Sequence, residues 1–255
     1  MTYIDMRPRS ATEIIDASFR TLRQNYSKFI TAAAILYVPQ LVLQLLTPPA
    51  PENAGPLTVF TTLSIVFVRG LLFGISSATM IVLTSQLVTR GEMDVNAAIR
   101  RTLNRFGTII IASIITYLIV GVGFIFFIIP GFYLFAKYGI SNAIATVEDL
   151  GGVESVRRAG VLSEHNRERY LKTMLLMFLL YFIAVGAFSA AAGIMGSQIL
   201  LDVSSAITNI FLGPVLGISN ALIYYDMRVR NEGYDLQLMS ERLAADNAPP
   251  VGAIA

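Results

Sequence analysis

Arg69 and Lys137 are the two basic residues that lie inside long apolar runs of this 255-residue chain. A charged side chain at the centre of a bilayer costs about 2.5–3.5 kcal/mol on insertion scales, so each must find a partner or reach water. Neither run contains Asp or Glu, which leaves backbone carbonyls, water or an anionic ligand such as a lipid phosphate. The competing reading is that both snorkel, with the aliphatic stem on apolar surface and the charge at an interface. Arg101, Arg157, Arg158 and Arg228 form a second group of candidate anion or lipid-headgroup contacts, in polar segments flanking the apolar runs. Glu148, Asp149 and Asp226 stand at the ends of two runs, near those arginines, and are expected to form structural ion pairs.

Little else in the sequence suits catalysis. With no Cys and a single His, the chain has no disulfide, no thiol nucleophile and few ways to ligate a metal. His165 sits among Ser163, Glu164, Asn166, Arg167 and Glu168 and reads as a solvated surface residue. Nucleophile–base pairs are scarce, so no catalytic residue, metal or cofactor is assigned and no enzyme activity is expected. Asn142, Asn209, Asn220, Gln40, Gln44 and Gln86 can join helices or line a path, and the joining role is the expected one. Gly70 with Gly74, Gly213 with Gly217, and the small residues of 189–193 permit close helix approach. Pro39 and Pro214 are expected to kink their helices.

These residues must be held by helices in lipid. The chain is 55% hydrophobic and 14% charged, whereas about a quarter of an average soluble domain is charged. Several apolar runs reach the roughly 20 residues that cross a hydrocarbon core. The expected fold is all-α: an integral membrane bundle of six spans at 29–46, 57–88, 107–129, 132–147, 171–195 and 207–225. They form one domain over 1–228, with a tail over 229–255 whose closing NAPPVGAIA reads as disordered. The second run would be about 48 Å long as one helix, so it must tilt, protrude or break, the break falling near Arg69 and Gly70. Pro130-Gly131 is expected to form the tight turn between the third and fourth spans.

Positive charge is sharply one-sided. Seventeen of the 19 Lys and Arg residues fall before the first span, in alternate connections, or after the last span. The connections 47–56, 130–131 and 196–206 hold none. Cytoplasmic flanks carry the excess of Lys and Arg, so both termini are expected in the cytoplasm. The lead-in segments EIIDASFRTLRQNYSKFI from Glu13, MDVNAAIRRTLNRFGTII from Met93 and VESVRRAGVLSEHNRERYLK from Val153 share one plan: an early acid, a basic amphipathic stretch, then an aromatic at the membrane edge. Interfacial helices at 10–27, 94–105 and 152–168 are therefore expected, each leading one of three transmembrane hairpins and attracted to anionic lipid.

The strings RPRSATEIIDASFRTLRQNYSKFI from Arg7, PGFYLFAKYGISNAIATVED from Pro130 and ALIYYDMRVRNEGYDLQL from Ala221 resemble the six-span membrane domain associated with bacterial glycerophosphoryl diester phosphodiesterases. The resemblance covers nearly the whole chain. Lys137 matches a position often basic in that family, and Asp226 and Arg228 match its closing motif. It implies an all-helical protein of the bacterial cytoplasmic (inner) membrane, without the phosphodiesterase activity, which belongs to a separate soluble barrel. The expected function is a non-enzymatic accessory or scaffold protein that organises anionic lipids, a membrane-protein partner or a second copy of itself. The alternative is a transporter or permease for a lipid-like or small anionic molecule. No nucleic-acid partner is expected.

Overall fold

The computed structural model describes residues 7–46, 55–194, 196 and 198–246, and every regular element among them is a helix. The expected disorder of 247–255 and most of the Pro-rich connection 47–56 lie outside the described residues.

The first helix, α1 (Ala11–Gln24), is started by its own residues: the Ser10 hydroxyl accepts from Glu13 N at 3.3 Å and the Glu13 carboxylate accepts from Ser10 N at 2.8 Å. This reciprocal cap satisfies two otherwise orphaned amides. The same bond from Ser10 is the main cause of a Glu13 pKa below its ordinary value. Helix α1 buries Ile14, Ser18, Thr21 and Leu22, a stripe at helical spacing, and leaves its basic face exposed. After α2 (Tyr26–Leu45) and α3 (Pro56–Arg90), the second amphipathic helix, α4 (Val95–Asn104), is capped by Asp94, whose carboxylate accepts from Ala97 N at 3.1 Å. Next come α5 (Phe106–Phe126), α6 (Ile128–Tyr138), α7 (Ser141–Val147) and the third amphipathic helix α8 (Gly152–Leu162). The chain continues through α9 (Arg167–Ile194), α10 (Gln198–Glu232) and α11 (Tyr234–Asp246).

Five helices, α2, α3, α5, α9 and α10, are long and apolar enough to cross a membrane, consistent with a multi-pass membrane protein. The second apolar run does not break at Arg69-Gly70: α3 is one helix of 35 residues, ended by Gly91 at φ 72°, a left-handed conformation suited to glycine. Helices α2 and α10 likewise run through Pro39 and Pro214.

Three boundaries differ from expectation for local reasons. The chain reverses at extended Phe127, not at Pro130-Gly131. Pro130 instead occupies the first turn of α6, where a missing N–H costs nothing. Gly131 serves close approach: a Cβ there would lie 2.3 Å from the Phe124 ring. The fourth run, expected as one span over 132–147, is two helices. The Lys137 carbonyl, which would accept from Ser141 N in a continuous helix, accepts from the Ser163 hydroxyl at 2.8 Å. The sixth run extends past both expected ends, so Asp202, expected in a connection, lies in the first turns of α10, and part of the expected tail is helix α11.

The contacts α2–α3, α3–α5, α5–α6, α6–α9, α9–α10 and α10–α2 close a ring. The dense core sits at its basic end, where α1, α4, α7 and α8 pack on the last turns of α3 and α10 and bury Ile14, Phe29, Met80, Ile144, Leu162, Tyr170 and Tyr224. At the opposite end Leu57, Ile125 and Ile129 are at least 76% exposed, a surface that suits hydrocarbon rather than water.

Candidate functional site

A cavity of about 550 Å³, partly open to the outside, lies between α2, α3, α5, α9 and α10. Its place along α3 is set by two residues. Thr79 donates to Thr102, near the C-terminal end of α4, at 3.2 Å. Arg69 lies ten residues nearer the start of α3, about 15 Å at helical rise, on the side of the ring away from the basic end.

Arg69 lines this cavity together with Gln40, Ser113, Tyr117, Tyr181 and Asn209. Its Nη2 donates to Gln44 Oε1 at 2.6 Å, and Gln44 Nε2 donates to Asp202 Oδ1. A carboxylate therefore stands one amide away from the half-buried Arg69 guanidinium. The expectation that Arg69 lacks an acidic neighbour is corrected by the early start of α10, which brings Asp202 into the bundle. Gln40 Nε2 donates to Ser76 Oγ at 3.1 Å, Tyr181 Oη donates to Asn209 Oδ1 at 2.6 Å, and Ser113 Oγ donates to Asn142 Oδ1 at 2.9 Å. Gln86 instead caps a loop, accepting from Asp94 N at 2.9 Å, and Asn220 keeps a buried Oδ1 with no partner. A Cβ on Gly70 or Gly74 would meet nothing within 4 Å; these two widen the cavity and do not seat another helix. Sequence reading overlooked Ser113, Tyr117 and Tyr181, since a hydroxyl in an apolar run is unremarkable until its direction is known.

Lys137 stands apart from this cavity. Its side chain runs beside Gly160 of α8, and its Nζ lies 5.1 Å from the Tyr138 ring centroid. It is placed where α6 meets an amphipathic helix, as a snorkelling lysine would be.

A second cavity, about 490 Å³, lies at the basic end and gathers Arg101, Arg158 and Arg228, together with Arg90. Arg101 donates to the carbonyls of Val147 at 2.7 Å and Thr146 at 3.3 Å, so it caps α7. Arg158 bonds Glu148 at 3.3 Å and also Glu232; Arg228 bonds Glu232 at 2.9 Å and lies 3.9 Å over the Tyr234 ring. Burial alone would raise the Glu232 pKa, but the hydrogen bonds and charges of Arg228 and Arg158 outweigh it, and the net shift is downward. Burial likewise pulls Arg158 down, and its bond to Glu232 with the charges of Glu148 and Glu232 carries it above the ordinary value.

This fixes a pH dependence. The contribution of Glu232 is complete above the unfolded carboxylate pKa of about 4.3. It fades as pH falls through the lower folded value. Thermal melting of wild type and Glu232→Gln between pH 6 and 3 checks it: wild type is expected to lose more of its melting temperature than the variant, and parallel losses would refute it.

Asp226 is 2% exposed and accepts from Arg230 at 2.9 Å, Arg169 at 3.3 Å and Arg9 N at 2.6 Å. Arg157 is exposed on the outer face of α8, apart from both cavities, and His165 is exposed as well. Among the described residues no three of His, Cys, Asp and Glu come together as metal ligands. Compared with protein-family models, curated proteins and solved structures, the chain matches none.

Proposed function

We propose that this chain is a bacterial cytoplasmic-membrane protein that carries an anionic or lipid-like small molecule through the ring cavity without catalysing a reaction. The observation that carries the reading is the convergence of Gln40, Arg69, Ser113, Tyr181 and Asn209 from five apolar helices on one space. Ionisable groups buried within apolar spans characteristically mark substrate or ion pathways. In this reading α6 and α7 together make the sixth crossing, their break being of the kind that discontinuous transporter helices use. The helices then form three hairpins led by α1, α4 and α8, with the basic end and both termini in the cytoplasm. Of the cations that suit lipid contact, Arg101, Arg158 and Arg228 are engaged inside the protein. That weighs against a purely lipid-organising scaffold. The exposed Arg20, Arg23, Arg100 and Arg157 favour an additional headgroup contact by the three amphipathic helices, and hence anionic lipid as a partner.

The absence of native Cys makes the test direct. In membranes, Gly74→Cys is expected to react with a water-soluble, membrane-impermeant thiol reagent, because the cavity is hydrated. Leu118→Cys, at a residue near the middle of α5 that is 64% exposed on the apolar outer surface, is expected to stay inert. Equal inertness of both would sink the proposal. In Gly74→Cys, Arg69→Gln is expected to slow labelling by a negatively charged reagent relative to a neutral one.

A further inference from the structure

We propose that the cavity at the basic end is a binding site for a phosphate monoester, separate from the ring cavity and reached from the aqueous side of the protein. Four guanidiniums line it, those of Arg90, Arg101, Arg158 and Arg228, from four different helices. The carboxylates opposing them are Glu148 and Asp149 on its wall and Glu232, bound to two of the arginines. Three acids against four cations leave a net positive site even before exposure is considered. Asp149 is 85% exposed and 3.4 Å from Arg101, so water screens much of its charge.

The unused donors are also distributed for an anion. A guanidinium has five N–H groups. Internal bonds take Nε and Nη2 of Arg101 and of Arg158, and Nε and Nη1 of Arg228. Among the described residues Arg101 Nη1, Arg158 Nη1 and Arg228 Nη2 remain without a bond, and Arg90 is exposed with no ion pair. Arg228 lies 3.9 Å over the Tyr234 ring and is bonded to Glu232, which together hold its position. Planar, multiply donating cations from several directions match the three oxygens of a phosphate monoester better than a single carboxylate. The volume of about 490 Å³ falls within the range of small-molecule sites.

A phosphate monoester could come from a soluble metabolite or from a lipid headgroup. Arg90 is exposed at the C-terminal end of α3, and Asp149 on the same wall is 85% exposed. That open, polar mouth favours the soluble source. Because the ligand would touch α3, α4, α8 and α10 at once, its binding stabilises the fold.

The test uses the full chain in phosphatidylcholine nanodiscs, with inorganic phosphate and phenyl phosphate as soluble probes and phosphatidic acid in the disc as the lipid probe. Calorimetric titration and melting temperature are read on wild type, Arg90→Gln and Arg157→Gln. Soluble probes are expected to bind and to raise the melting temperature. Arg90→Gln is expected to weaken binding about tenfold, the order of one lost charged hydrogen bond. Arg157→Gln, equal in charge but outside the cavity, should bind as wild type does. If only phosphatidic acid stabilises, and Arg90→Gln removes the effect, the same site takes a headgroup. No binding of any probe, or equal weakening by both variants, overturns the proposal.

Discussion

Asp226→Asn is expected to cost the folded protein about 2–3 kcal/mol, the largest effect of any single side-chain charge in the chain. Among the described residues the carboxylate is the one anion bonded to Arg169 and Arg230, and it also receives the amide of Arg9, which ties the segment before α1 to α10. Asparagine keeps the shape and one acceptor, but leaves two guanidiniums facing each other without a counter-charge. Removing one partner of a buried pair costs about 3–5 kcal/mol. The arginines here are 30% and 27% exposed, so water recovers part of that loss. Asp149→Asn removes a carboxylate that also touches two arginines but is 85% exposed, and should cost under about 1 kcal/mol. Equilibrium unfolding of both variants in one detergent measures the contrast; equal costs would mean that burial at Asp226 contributes nothing.

The sequence made some features legible and hid others, for physical reasons. Amphipathic helices α1 and α4 were readable because their signals are local, an early acid followed by a basic amphipathic stretch, whereas the Ser10–Glu13 box and the Asp94 cap that start them went unread. The apolar runs were readable because composition alone reports them. Ends and turns were less so. Pro130-Gly131 carries a turn signal, yet Pro is equally at home in a first helical turn, and only the approach of α6 to Phe124 decides between the two. Asp202 read as a marker of a connection because an isolated carboxylate is expensive in lipid. Its partner chain through Gln44 to Arg69 spans helices far apart in sequence, which periodicity does not report. The same holds for the basic end: Arg101, Arg158 and Arg228 were visible as cations, but their convergence on one cavity depends on where the last turns of α3 and α10 go.

Gly217→Leu is expected to be the most disruptive single change in the bundle, because it acts where those two helices touch. A Cβ at Gly217 would lie 2.5 Å from Met80 Cβ and 3.1 Å from the Ser77 carbonyl. Both obstacles belong to or adjoin the α3 backbone, so no rotamer change relieves the clash. Overpacking a tight contact costs about 1–3 kcal/mol, and a leucine against backbone belongs at or above the upper end. Gly217→Ala already places the offending atom, so it too should destabilise, although alanine in a free helix gains about 0.8–1 kcal/mol over glycine. Gly74→Ala isolates that gain: its Cβ meets nothing within 4 Å, and this variant is expected to be neutral or slightly stabilised. Ser77 and Met80 lie between Gly74, on the ring cavity, and Ser85, on the basic cavity; Gly217 lies between Asn209 and Tyr224 in the same way. The seam is thus the partition between the two cavities, and passage of a molecule from one to the other requires these helices to part there. Gly217→Ala, if it folds, should therefore label faster than wild type at a Ser85→Cys probe approached from the ring side. Unchanged labelling in a folded Gly217→Ala protein would place the route elsewhere.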